Sequence, residues 1–320
     1  MKLAILLAIV AAVLAACARA DRPPVTYAPL VHPFKGANLF HDIETAAAAW
    51  ARANGDPDWV KPITDTPQAI WLTAPRDLDR LPAVIRAAAS QRALLVLVTY
   101  YVPNRDCAGA ASGAPDPDSY LAWIDRLADT LGTNKAVIIM EPDAIAADCY
   151  TDARAQLLRE ATYRLARAGH HLYLDAGHPK WRQPGQAAER LIASGIQAAQ
   201  GFTVNVSNRQ TTADSDVWAR EVSKMTGDRE FLIDTSRNGL GPPPGDEWCN
   251  PARQGLGERP TTDPGTGAAA HLWVKRPGES DGHCGGESTF GFSPRQAATL
   301  IANAQWVPEN LRRRAGNERA

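Results

Sequence analysis

Seven short apolar runs alternate along this 320-residue chain with longer stretches whose apolar residues recur at helical spacing. The runs lie at residues 69–73, 93–100, 136–140, 171–175, 201–206, 230–234 and 271–274. A continuous apolar run is the pattern of a strand buried on both faces, as in a parallel sheet. The helical stretches lie at 42–54, 78–90, 119–131, 151–168, 187–194, 216–226 and 294–303, with Ser119 and Ser293 placed as N-caps. Parallel neighbours need a crossover to return the chain, so seven alternations point to a parallel β/α barrel. A doubly wound open sheet is the other arrangement of this pattern, but no G-x-G-x-x-G follows the early strands.

Polar residues gather where these runs end: Tyr100 and then Asp106, Glu141 and Asp143, Asp175 and His178, Asn205 and Asn208, Asp234 and Arg237, then Lys275, Glu279 and Asp281. In a β/α barrel the carboxyl ends of the strands converge on one mouth, the face that carries chemistry. For Asp175 and Asp234, capping of the following helix is an equal reading.

A net charge of −1 with both signs interspersed gives no footprint for nucleic acid and no polybasic membrane patch. The nine tryptophans are many for this length. Flat neutral ligands such as sugars bind aromatic faces, while core packing accounts for most rings.

Met1-Lys2, the apolar stretch 3–14 and Leu14-Ala15-Ala16-Cys17 form a signal peptide over residues 1–16 with a lipobox-like end. That stretch is too short to cross about 30 Å of hydrocarbon. Cleavage before Cys17 and a lipid on its sulfur are expected, with an ordinary secretory signal cut near Ala20 as the other reading. Residues 17–33, with Arg22-Pro23-Pro24 and Pro29, read as a tether. Export leaves Cys107, Cys149, Cys249 and Cys284 in an oxidising compartment, where two disulfides with three possible connectivities are the default. No C-x-x-C or H-E-x-x-H argues for a metal. His170 and His171 do not join His178 in a metal cluster, because adjacent strand residues face opposite ways.

Glycoside cleavage needs one protonated carboxyl and one carboxylate, hence acids in different environments. Asp281 shares a segment with Lys275 and Arg276, while Asp143 follows a dry Val-Ile-Ile-Met strand. Arg105-Asp106-Cys107, Glu141-Pro142-Asp143-Ala144 and Leu174-Asp175-Ala176-Gly177-His178 open a series of motifs. Asn205-Val206-Ser207-Asn208, Asp234-Thr235-Ser236-Arg237-Asn238-Gly239, Trp248-Cys249-Asn250-Pro251 and Lys275-Arg276-Pro277-Gly278-Glu279-Ser280-Asp281-Gly282 complete it. In kind, order and spacing the series resembles glycoside hydrolase family 6, the cellulases. The resemblance implies a distorted, incomplete parallel β/α barrel of about seven strands with an open active-site cleft, spanning residues 34–306. It also implies inverting hydrolysis of β-1,4-glucosidic bonds without metal or organic cofactor.

Carried over by motif, Asp143 is the general acid, and Asp106 keeps it protonated and accepts a proton through water. Tyr100 presses on the distorted sugar, and Ser112 helps hold the attacking water. Asp281 is the second candidate base, with Lys275 and Arg237 holding it ionised. Proton transfer toward Asp106 is the preferred reading. Phe40, His178, Trp181, Asn208, Arg237, Trp248, Lys275 and Glu279 are the expected sugar-binding positions. Phe40 stands where the family has Tyr or Trp, and Arg209-Gln210 where an aromatic is common. The resemblance also pairs Cys107 with Cys149 and Cys249 with Cys284.

Family members that work from chain ends roof the cleft with two long loops. Here little chain separates His178 from Asn205, and Asp281 from Cys284, so an open groove and endoglucanase action on cellulose or soluble β-glucan are expected. No module for holding crystalline cellulose follows the last helical pattern, and 307–320, with Arg312-Arg313-Arg314, reads as an exposed basic tail. The alternatives are an exo-acting cellobiohydrolase and an inactive surface glycan-binding lipoprotein. A monomer is expected, touching the membrane only through Cys17.

Overall fold

The structure, a computed structural model, describes residues 28–107, 112–287 and 290–318; Cys17 and the signal segment lie outside the described residues. All seven apolar runs are strands: β1 Ile70–Leu72, β2 Val96–Thr99, β3 Val137–Met140, β4 His171–Asp175, β5 Gly201–Val204, β6 Glu230–Asp234 and β7 Ala270–Leu272. They pair in sequence order, and every pair is parallel. Side chains alternate between two faces and both faces are buried, so each run is apolar throughout. Val98, Ile139, Tyr173 and Leu232 point into the barrel, while Leu97, Ile138, Leu172, Phe202 and Ile233 point outward under the helices.

The barrel is incomplete. β1 and β7 form no ladder; Ala69 N–H donates to Trp273 O at 3.0 Å and Trp71 Nε1–H to Val274 O at 2.7 Å across the seam. Crossover helices cover the outside at Leu81–Ser90, Pro117–Leu131, Asp152–Arg167, Pro184–Ala193 and Thr212–Met225. Between β6 and β7 the chain carries no α-helix. Ser293 caps Pro294–Ala302 as expected, its side chain accepting from Gln296 N. Ser119 does not cap its helix. That helix starts two residues earlier at Pro117, whose missing N–H costs nothing there, and Asp116 accepts from Ser119 N.

The first and last described segments differ from the expected tether and exposed tail. The end of the expected tether is docked: Ala28 N–H donates to Gln197 O at 2.8 Å, Arg229 Nη2 donates to Ala28 O at 2.8 Å, and His32 meets Glu230. The expected basic tail is a helix, Glu309–Asn317, seated on Pro294–Ala302 through buried Val307 and Ala315 and partly buried Leu311. Arg313 and Arg314 are exposed while Arg312 is partly buried, which is why composition alone reads as a solvated tail. Phe40 is a third correction. It is 5% exposed in the main core, with its N–H bonded to Leu94 O, and presents no face to a sugar.

Candidate active site

Three buried carboxylates tie the strand ends together. Glu141 Oε2 accepts from the N–H groups of Tyr101 and Val102, each at 2.9 Å, and Oε1 from the Tyr120 hydroxyl at 3.1 Å. Asp175 accepts from Asp143 N at 2.9 Å and Thr203 Oγ1 at 3.0 Å. Asp234 Oδ2 accepts from Ser207 N and Lys275 N, and Oδ1 from Ser236 N and Val274 N. Neither Asp175 nor Asp234 caps a helix; each spans to the loop of a neighbouring strand. Burial pushes all three carboxyls up, and the hydrogen bonds they accept pull them back. For Asp175 the charge of Asp143 adds to the rise.

The turn they hold after β3 has left-handed backbone at Glu141 (φ +46°) and at Asp143 (φ +71°), unusual for residues with a Cβ and concentrated at functional sites. Gly177 lets the next loop approach it: a Cβ there would lie 2.6 Å from Ala146 Cβ. Two arginines that no motif singled out brace the same turn. Arg190 Nη1 donates to the carbonyls of Ile145, Ala146 and Ala147, and Arg182 Nε to Ala146 O at 2.6 Å.

Asp143 is the acid that this frame presents. Burial, followed by the charge of Asp106, pushes its carboxyl up to about 6, against the pull of Lys275. Asp106 is exposed, accepts from the Tyr100 hydroxyl at 2.9 Å, and has Arg105 Nε 3.6 Å from its Oδ2. Burial, and then the charges of Asp143 and Asp106, raise the Tyr100 phenol, so it stays a donor. Arg105 lies over the Tyr100 ring at 4.4 Å, and Trp71 meets that ring edge-on at 5.4 Å. Trp71 escaped the sequence reading because it sits inside an apolar strand; its only mark was inward alternation with Ala69.

Ser112 Oγ is buried with no hydrogen-bond partner among the described residues. The Asp106 loop is held by the Cys107–Cys149 disulfide and by Arg154 Nη2, which donates to Pro103 O at 3.1 Å and Asn104 O at 2.7 Å.

Because the Asp106 anion raises Asp143, Asp106→Asn should lower the Asp143 pKa. The basic limb of kcat/KM, expected near pH 6 in the parent, should then move to lower pH. A pH–rate profile of the residual activity checks this; a limb that stays put would separate the two acids.

Asp281 is the opposite case. Burial pushes its carboxyl up, but Arg237, Lys275, Arg209 and the Asn250 N–H together hold it well below the usual carboxylate range. Arg237 Nη1 reaches both its oxygens at 2.8 and 2.9 Å, Arg209 Nη2 reaches Oδ2 at 3.3 Å, and Lys275 Nζ stands 3.7 Å from Oδ1. Arg209 is a partner that the sequence reading did not assign. Burial and the neighbouring Arg237 charge lower it to about 9.

The remaining expected positions lie on the surrounding loops. His178 and Trp181 share a turn after β4 with ring centroids 5.5 Å apart, both partly exposed. Trp248 is 67% exposed beside the second disulfide, Cys249–Cys284. Both disulfides are the pairs the motif resemblance implied. Asn208 donates to Val206 O at 2.9 Å, and Glu279 pairs with Arg276 at 2.9 Å.

The family model for "Glycosyl hydrolases family 6" matches residues 34–310. Endoglucanase A of Cellulomonas fimi is 39% identical over 269 residues, 81% of this chain and 59% of that protein, so this chain spans less than two thirds of its length. Endoglucanase 1 of Streptomyces halstedii is 36% identical over 82% of this chain and 88% of its own. Among solved structures, the endoglucanase Cel6 of Mycobacterium tuberculosis, in complex with methyl-cellobiosyl-4-deoxy-4-thio-β-D-cellobioside, superposes with a TM-score of 0.80 at 39% identity, covering 85% of this chain and 99% of that one. The matched region extends from Phe34 through the barrel into the last helix, and the chain belongs to glycosyl hydrolases family 6.

Proposed function

We propose that this chain hydrolyses internal β-1,4-glucosidic bonds of cellulose or soluble β-glucan with inversion of the anomeric centre. The observation that carries this is the split between acids at one mouth: Asp143 is pushed up to about 6, while Asp281 is held ionised. Asp143 donates its proton to the glycosidic oxygen as the bond from C1 to that oxygen breaks. A water attacks C1 from the opposite face and forms the new C–O bond, and its proton passes toward Asp106 through further water. Ser112, whose hydroxyl has no partner among the described residues, is suited to orient that water. Tyr100, wedged between Arg105 and Trp71, is suited to press on the sugar ring. Asp281, held ionised by three cations, does not readily take a proton; it serves as an electrostatic and binding residue that fixes those cations at the site.

The likeness to named endoglucanases supports internal cutting, and so does the local chain length. Only residues 179–183 lie between His178 and the helix Pro184–Ala193, and Asp281 is followed within three residues by a disulfide cysteine. Neither stretch is long enough to arch over a glucan. Carboxymethyl-cellulose should therefore lose viscosity quickly for each reducing end released, and proton NMR should show the α-anomer as the first product. Cellobiose release with viscosity unchanged would favour the exo-acting reading, and a β-anomer would remove the mechanism. An inactive glycan-binding scaffold would have no need for the raised Asp143. The amino-terminal pattern supports export with a lipid on Cys17. The protein would then act as a monomer anchored at the cell envelope.

A further inference from the structure

We propose that Arg209 is a positioning residue that sets the Trp248 face from beneath by joining the Trp248 backbone to Asp281. The inference rests on the glucan-hydrolase reading above and adds a determinant of how that site holds sugar. Trp248 is 67% exposed and follows a chain segment with no α-helix or strand, so side-chain packing does little to orient its ring. Its backbone must supply the orientation.

Three successive residues there are tied to the Asp281 loop, each in a different way. Arg209 Nη1 donates to Trp248 O at 2.8 Å, while the same guanidinium reaches Asp281 Oδ2. Cys249 is bonded to Cys284. Asn250 and Asp281 exchange two hydrogen bonds, Asn250 N to Asp281 Oδ2 at 3.1 Å and Asp281 N to Asn250 Oδ1 at 2.8 Å.

Arg209 itself is locked. It is 3% exposed, and Gln254 Oε1 accepts from both its Nε at 3.2 Å and its Nη2 at 2.9 Å. A lysine at 209 keeps the positive charge but cannot fork between a carbonyl, an amide and a carboxylate. The Trp248 subsite and the Asp281 cluster are therefore one rigid unit whose geometry depends on this planar side chain.

The test is a double-mutant cycle on the full-length enzyme, with Arg209→Lys, Trp248→Ala and the double variant. The readouts are calorimetric binding of a thio-linked cello-oligosaccharide and KM and kcat on barley β-glucan. Arg209→Lys should weaken binding about tenfold, the size of one lost charge-assisted hydrogen bond, with KM rising more than kcat falls. The double variant should bind no more weakly than Trp248→Ala alone, because the arginine acts through the ring. Additive losses, or unchanged binding in Arg209→Lys, would overturn the proposal.

Gln254→Met keeps the arginine but frees its fork, and should reproduce the KM effect should Arg209→Lys fold poorly; a parental KM there would also overturn it. Absence of hydrolysis by the parent enzyme with tight oligosaccharide binding retained would strike the glucanase reading alone and leave the cycle interpretable.

Discussion

Replacing Asp143 with asparagine is expected to lower kcat on barley β-glucan by about 10²–10⁴, the usual range for loss of a positioned proton donor. The asparagine amide is nearly isosteric, and Asp175 binds the residue 143 backbone N–H rather than its side chain, so the turn should persist. Its thermal transition should stay near the parental one, and a carboxyl held above its ordinary range by burial is a cost that the variant removes. The loss should shrink sharply on a β-cellobioside with a dinitrophenolate leaving group, which departs without protonation. Equal losses on both substrates would show that Asp143 does not act as the acid. A Tyr100→Phe variant should not copy this pattern, because its hydroxyl bonds Asp106 and donates no proton to the substrate.

The second large effect is on stability as well as turnover. Asp281→Asn leaves Arg209 and Arg237, each 3% exposed, and Lys275 facing one another with no anion between them. Breaking a buried ion pair from one side costs about 3–5 kcal/mol, and a urea melt at pH 7 should find a loss of that order. The sign with pH follows from the direction of the shift. The folded carboxyl lies below its ordinary value, so its contribution is complete above the unfolded pKa of about 4 and fades as pH falls toward the folded one. The gap between parent and variant should therefore close in acid. Melts that coincide at pH 7 would mean the cations are relieved by other partners. Activity should fall too, since Asn250 and through it the Trp248 loop are hung on the same carboxylate.

The contrast between these two aspartates was partly legible in the chain. Asp281 lies six residues after Lys275, a cation that local sequence already offers. Asp143 follows a run of four buried apolar residues, which predicts a dry carboxyl. The seven strands were legible for a similar reason: strands covered on both faces must be apolar at every position, and the sheet's side-chain period then decides which residues face inward. The cysteine pairing was not legible from spacing and came only through the motif resemblance.

What the sequence determined by itself was the order of elements and the residue types at the strand ends, because burial and helical spacing act over a few neighbours. What only the tertiary structure decided was which of those groups meet. Arg209 reaches Asp281 across 72 residues, and Trp71 meets Tyr100 from the neighbouring strand. Phe40 is withdrawn into the core, and the segments at residues 28–32 and 307–317 dock where composition promised free chain. Those outcomes depend on how the curled sheet brings distant chain together, and no local pattern of polarity carries that information.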